Sequence, residues 1–143
     1  MTEVQATHGS GAFFQTPAAR FDRTTEGVIV SKASPPASQV TSRATSQAAF
    51  FCIGSPRESG FGAAEIIVDL GKAMLGSVVG VKLLYGPRVV YEYKESFSKS
   101  FTLEIPSKPL FDGKGVSVEL ALNIASDQSH IIIQSVAVAW EKK

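Results

Sequence analysis

The stretch Tyr85-Gly86-Pro87-Arg88, followed by Tyr91, Tyr93 and Lys94, carries the side chains best suited to holding a ligand. Flat aromatic faces beside a guanidinium can stack sugars or unpaired bases, and the polar tip of a phenol suits a wet interface. Tyr85, Arg88, Tyr91 and Tyr93 are therefore the candidate ligand-binding residues. A core-edge role competes for two of them, because regular alternation puts Tyr91 and Tyr93 on the same strand face as Val89.

Catalytic chemistry has thinner support. A serine nucleophile needs a sharp turn of the G-x-S-x-G kind beside a base, and no such pattern occurs. Only His8 and His130 are available as imidazoles, and each lacks a partner by spacing. Glu65, Asp69, Glu92, Glu104 and Glu119 could supply paired carboxylates. Each falls on the polar phase of an alternating strand, so a solvated outer face accounts for it. Asp112-Gly113-Lys114-Gly115 lacks phosphate-loop spacing and reads as a turn, and neither Asp112 nor Asp127 sits among the clustered oxygens that calcium requires. The expectation is a chain without catalytic residues, metal or cofactor.

Composition narrows the partners. Fourteen Lys and Arg against 13 Asp and Glu, spread along the chain, give a formal net charge of +1, too weak a field for phosphate-led nucleic-acid binding. The single cysteine, Cys52, stands among Phe50, Phe51 and Ile53 and reads as a small buried hydrophobe. No apolar run approaches the roughly 20 residues of a membrane span, and the N-terminus lacks the basic and apolar regions of a secretion signal. A cytoplasmic or virion setting is expected.

These residues must be positioned by strands. Val116, Val118, Leu120, Leu122 and Ile124 alternate with Ser117, Glu119, Ala121 and Asn123, and a second run follows from Ile131 to Trp140. Ser126-Asp127-Gln128-Ser129 between them is long enough for a hairpin loop, so the two runs are expected to pair. In the second run Ile132, Val136, Val138 and Trp140 share a phase that Gln134 interrupts, while Ile131 and Ile133 lie on the other, which predicts a β-bulge or two-sided burial near Gln134. Earlier strands are expected at 26–30, 48–53, 63–70, 78–85, 89–94 and 101–105. A short helical turn could occupy 71–76, and 39–47 fits either a strand or a loop. No segment has the period and length of a crossover helix.

The resulting class is all-β: a single antiparallel β-sandwich of jelly-roll or Greek-key type, with about eight strands over residues 27–143, preferred over a barrel. Residues 1–26 read as a flexible N-terminal arm. Phe13, Phe14 and Phe21 are unusual cargo for an arm left in water, so it is expected to dock on its own domain or on a neighbour. The phrase Ile66-Ile67-Val68-Asp69-Leu70-Gly71-Lys72 resembles one found in discoidin-type galactose-binding β-sandwiches. That resemblance implies the sandwich fold and carries over no ligand or site, since the paired cysteines of those domains are missing.

Two functions follow. The first is a non-catalytic sandwich acting through protein contacts, either as a self-assembling viral or particle-forming subunit or as an effector-like interaction module. The alternative is a carbohydrate- or small-ligand-binding module using the Tyr/Arg surface. The expected partner is protein, self or other, with a glycan as the second choice.

Overall fold

A strand with one apolar face is stable only when a second layer covers that face. The computed structural model describes residues 2–14, 19–32, 46–72, 76–124 and 130–143. Eleven strands form within them: β1 Thr2–His8, β2 Phe13–Phe14, β3 Ala19–Thr24, β4 Gly27–Lys32, β5 Ser46–Ile53, β6 Phe61–Leu70, β7 Gly76–Tyr85, β8 Arg88–Tyr93, β9 Phe101–Glu104, β10 Val116–Ile124 and β11 His130–Lys142. Residues 39–45, residues 73–75 of the possible turn at 71–76, and Asp127 lie outside the described set.

The strands make the expected antiparallel β-sandwich. One sheet runs β3-β4-β11-β6-β9 with β1 also paired to β11, and the other runs β2-β5-β10-β7-β8. Their facing sides supply the core. Phe51, Leu83, Leu120 and Leu122 come from the five-stranded sheet, and Ile66, Val68, Val136, Val138 and Trp140 come from the six-stranded one, all fully buried. Burying each such side chain contributes roughly 1.5–3 kcal/mol.

The expected pairing of the last two strands is corrected by this topology. β10 lies between β5 and β7, whereas β11 lies against β1, β4 and β6 in the opposite sheet. Alternation states that a strand has one face to cover; it does not distinguish a lateral partner from one across the core. The connection between them can equally span the ~10 Å that separates packed sheets.

The segment expected as an arm contributes strands to the sandwich, one of the two docking places its aromatics suggested. β1 pairs with β11 over seven positions, from Thr2↔Glu141 to His8↔Ser135, and β3 pairs with β4 over six. β1 shows no apolar period because Val4 and Ala6 face outward, and the strand is held by main-chain bonds and polar side chains. The Glu3 carboxylate accepts the Arg57 amide at 3.0 and 3.2 Å, and Gln5 donates to Glu3 at 2.6 Å.

The irregularity expected near Gln134 is present. Ile131 and Ile133 point into the core, Gln134 is exposed, and Val136, Val138 and Trp140 take over the buried phase. The register with β6 slips between Ile133 and Ser135 at the same place. On the other edge of β11, β4 hands over to β1, with Ile133 facing Val28 and Ser135 facing His8. This junction is crowded. A Cβ on Gly9 would stand 1.8 Å from the Ile133 carbonyl oxygen, and one on Gly27, at φ +138°, would stand 2.2 Å from it.

Candidate functional site

Of the four residues proposed as a ligand surface, Tyr85 and Arg88 are register partners between β7 and β8 and Tyr91 and Tyr93 follow on β8, but the four do not share one exposed face. Tyr85 is fully buried: its ring stacks on Trp140 with centroids 5.9 Å apart and meets Phe111 edge-on at 5.5 Å, while its hydroxyl donates to the Pro109 carbonyl at 2.6 Å. Loss of hydration pushes its phenol up to about 12. It is a post in the core, and its ring offers no stacking surface to a ligand.

Arg88 projects from the start of β8 toward the turn before β10. Its Nη2 lies 3.2 Å from Asp112 Oδ2, and Asp112 Oδ1 accepts the Lys114 amide at 3.0 Å. The Lys114 amide foremost, and the guanidinium after it, hold the Asp112 carboxyl below its ordinary range. Asp112 to Gly115 is thus the turn expected from sequence, with Arg88 attached to it.

Tyr91 and Tyr93 close the open side of the sandwich. Their strand slips by one residue against β7, so Tyr91 faces Leu83 while Val89 faces Leu84. That bulge separates Val89, 46% exposed, from the half-buried tyrosines whose face it was expected to share. The Tyr91 hydroxyl reaches the Glu104 carbonyl of β9 at 3.4 Å, and burial above all pushes its phenol upward. Tyr93 stacks on Phe97 at 6.1 Å, and Phe97 stacks on Phe101 at 3.9 Å. This ladder joins β8, an edge of one sheet, to β9, an edge of the other.

The remaining candidates have local explanations. Phe21 packs against the core, with the Arg23 guanidinium over its ring at 5.4 Å; Phe13 and Phe14 pair with Phe50 and Ala49 through β2, and their side chains lie outside the described set. His8 bridges the end of β1 to the β3–β4 turn, its Nδ1 accepting the Ser10 amide at 3.1 Å and its Nε2 lying 2.9 Å from the Thr25 carbonyl. His130 begins β11 opposite Ser31. Cys52 is exposed, contrary to the buried reading, because Ala49, Phe51 and Ile53 take the inward phase of β5. Among the described residues no three His, Cys, Asp or Glu side chains converge on a metal position, and no helix is long and apolar enough to cross a membrane.

A different surface assembles instead on the outer face of the five-stranded sheet. Pairing places Phe50, Glu119, Lys82 and Glu92 in one row across β5, β10, β7 and β8. Lys82 Nζ lies 3.8 Å from Glu119 and 3.9 Å from Glu92, and Lys94 Nζ lies 3.9 Å from Glu92. Beside this row Ala48, Ala121 and Gly80 stand in register and leave a gutter of short side chains. Over β10, β7 and β8 this face carries a groove of about 270 Å³ lined by Gly80, Ala121, Lys82, Lys94, Glu92 and Glu119, with Ala48 and Phe50 of β5 beyond its lining. Glu92 and Glu119 are legible in sequence only as solvated strand residues. Their meeting with Lys82 depends on register between strands distant in the chain, which alternation does not encode.

No protein-family model matches the chain, and no curated protein sequence matches it. Solved structures do. A cyclase from Fischerella sp. TAU in complex with 4-(1H-indol-3-yl)butan-2-one is 13% identical, with 94% of this chain and 88% of that one covered and a TM-score of 0.50. The CBM36-1 domain of a multidomain xylanase from the hindgut metagenome of Trinervitermes trinervoides is 11% identical over 95% of this chain and 96% of that one, with a TM-score of 0.48. The Stig cyclase Fisc from Fischerella sp. TAU is 14% identical over 78% of this chain, at a TM-score of 0.46, and the chain spans 62% of that structure's length. The first of these likenesses is one of fold: this chain shares the architecture of a two-sheet antiparallel β-sandwich.

Proposed function

We propose that this chain is a non-catalytic binding module whose working surface is the outer face of the five-stranded sheet, and whose ligand is a hydroxyl-rich molecule of the glycan type. The observation that supports this most is the row Phe50–Glu119–Lys82–Glu92 beside its gutter. An apolar ring flanked by alternating acceptors and donors is the combination a sugar needs, with one face that stacks and a rim that hydrogen-bonds. The Tyr/Arg surface first considered is not part of this proposal. Tyr85 is buried, Arg88 is paired with Asp112, and Tyr91 and Tyr93 seal the sandwich.

The reading as a self-assembling subunit is not the one proposed here: of the two docking places expected for the N-terminal segment, its own domain or a neighbour, β1 and β3 take the first. Glycan-array screening followed by calorimetry tests the proposal. Lys82→Ala and Glu119→Ala should each weaken the best ligand by about tenfold, the loss of one or two charge-assisted hydrogen bonds, while Arg88→Ala leaves affinity unchanged. Affinity that is indifferent to Lys82 and Glu119 would remove this face from the account.

A further inference from the structure

We infer that the ligand of this face is an uncharged, extended oligosaccharide that lies across the strands in the gutter beside the charged row. The inference rests on the preceding reading that the outer face of the five-stranded sheet is the binding surface. It adds the charge, length and direction of the ligand.

The charge follows from the spacing of the ion pairs. All three N···O separations, 3.8, 3.9 and 3.9 Å, are longer than the ~2.8 Å of a direct charged hydrogen bond. The groups therefore face one another without consuming each other's hydrogen-bonding capacity. A hydroxyl both donates and accepts, so it can sit between an ammonium and a carboxylate and satisfy both. With two lysines alternating with two glutamates, a ligand of fixed charge would gain from half the row and be repelled by the other half.

The direction follows from Gly80. A methyl group there would meet the Ala121 Cβ at 3.5 Å and the Tyr93 carbonyl oxygen at 3.8 Å, both ordinary contacts. Packing thus does not demand glycine at this position, unlike Gly9 and Gly27. What a larger side chain would do is block the gutter that runs from Ala48 through Ala121 to Gly80. This channel crosses the strands at right angles, parallel to the charged row.

The length follows from sheet geometry. The groove crosses β10, β7 and β8, and from Phe50 on β5, one strand beyond it, to β8 is three inter-strand steps, about 14 Å, the reach of about three linked pyranose rings. Phe50 marks the β5 end. It is half-buried, points away from the core and stands opposite Glu119, so its ring can carry the apolar face of one sugar.

The test titrates the full chain with neutral β-linked glucose, xylose and mannose oligomers of one to five units, and with oligogalacturonides as the charged series, by calorimetry at two salt concentrations. In at least one neutral series, affinity should rise at least about tenfold from the monomer to about three units and then level off. It should change less than about twofold between the two salt concentrations. Gly80→Leu and Phe50→Ala should each weaken the trimer at least about tenfold while unfolding stays cooperative, because both positions face away from the core. A preference for the uronates, affinity independent of length, or full affinity in Gly80→Leu overturns this inference. In each of those outcomes dependence on Lys82 and Glu119 would still uphold the binding face. If no oligomer and no arrayed glycan engages the face, both the inference and the reading beneath it fall.

Discussion

Alanine substitutions at four glycines separate two physical costs that are usually confounded. Gly115 has no heavy atom within 4 Å of an added Cβ and no positive φ; Gly113 has equally open space but φ +85°. Gly9 has no positive φ but an overlap at 1.8 Å with the Ile133 carbonyl oxygen, and Gly27 combines φ +138° with an overlap at 2.2 Å. Gly115→Ala should be neutral to within about 0.5 kcal/mol. Gly113→Ala should cost about 1–2 kcal/mol for the backbone conformation alone. At Gly9 the added atom must move more than 1 Å to reach ordinary contact, which pulls β1 and the 3-10 turn at Gly9–Gly11 off β11. Leaving one or two buried main-chain groups unpaired there costs about 3 kcal/mol. Gly27→Ala carries both terms, about 4–5 kcal/mol, a large part of the 5–15 kcal/mol of a typical domain. Urea unfolding followed by the fluorescence of Trp140, the single tryptophan and fully buried, reads all four. A Gly9→Ala variant as stable as Gly113→Ala would refute the argument that β1 and β4 converge on Ile133.

Other consequences concern single groups. Tyr85 has a folded value of about 12 against an ordinary 10, so the stability tied to its neutral form is present below pH 10 and is lost as pH rises from 10 toward 12. The loss is on the order of 2–3 kcal/mol, and Tyr85→Phe should flatten that part of an alkaline unfolding curve. Asp112 has the opposite sign. Its depressed value makes its contribution present above the ordinary aspartate range and lost as pH falls through the folded value, so Asp112→Asn should remove part of the acid dependence between those limits. Cys52, exposed on the face opposite to Phe51, should react fully with a thiol reagent in the native state; protection until unfolding would place β5 in the wrong phase.

How much of this was legible depends on what a strand records about its surroundings. Val116–Ile124 reports its own buried face plainly, and the phase switch at Gln134 was readable because two isoleucines and two valines fall on opposite parities within one run. Partners are another matter. Whether β10 pairs with β11 or lies in the opposite sheet is not recorded in the alternation of either strand. The bulge between Tyr91 and Val89 leaves no mark in the Val-Val-Tyr-Glu-Tyr pattern, so regular alternation grouped side chains that the structure separates. β1 was unreadable for a further reason. Its apolar residues face outward and its stability comes from pairing with β11, so Thr2–His8 looks like any polar lead-in. The candidate site combined both difficulties, since Glu119, Lys82 and Glu92 become neighbours only through two separate registers.

The outer face of the five-stranded sheet is the binding surface proposed for this molecule. Backbone amide shifts of the isotopically labelled chain, recorded while the best glycan from the array is titrated in, test it most directly. Saturable shifts clustered at Gly80, Lys82, Glu119 and Ala121 are expected, with Arg88, Asp112 and the β1 amides unmoved. Shifts centred on the Arg88–Asp112 turn or on the Tyr91–Phe97–Phe101 ladder, with the Lys82 row silent, would contradict it.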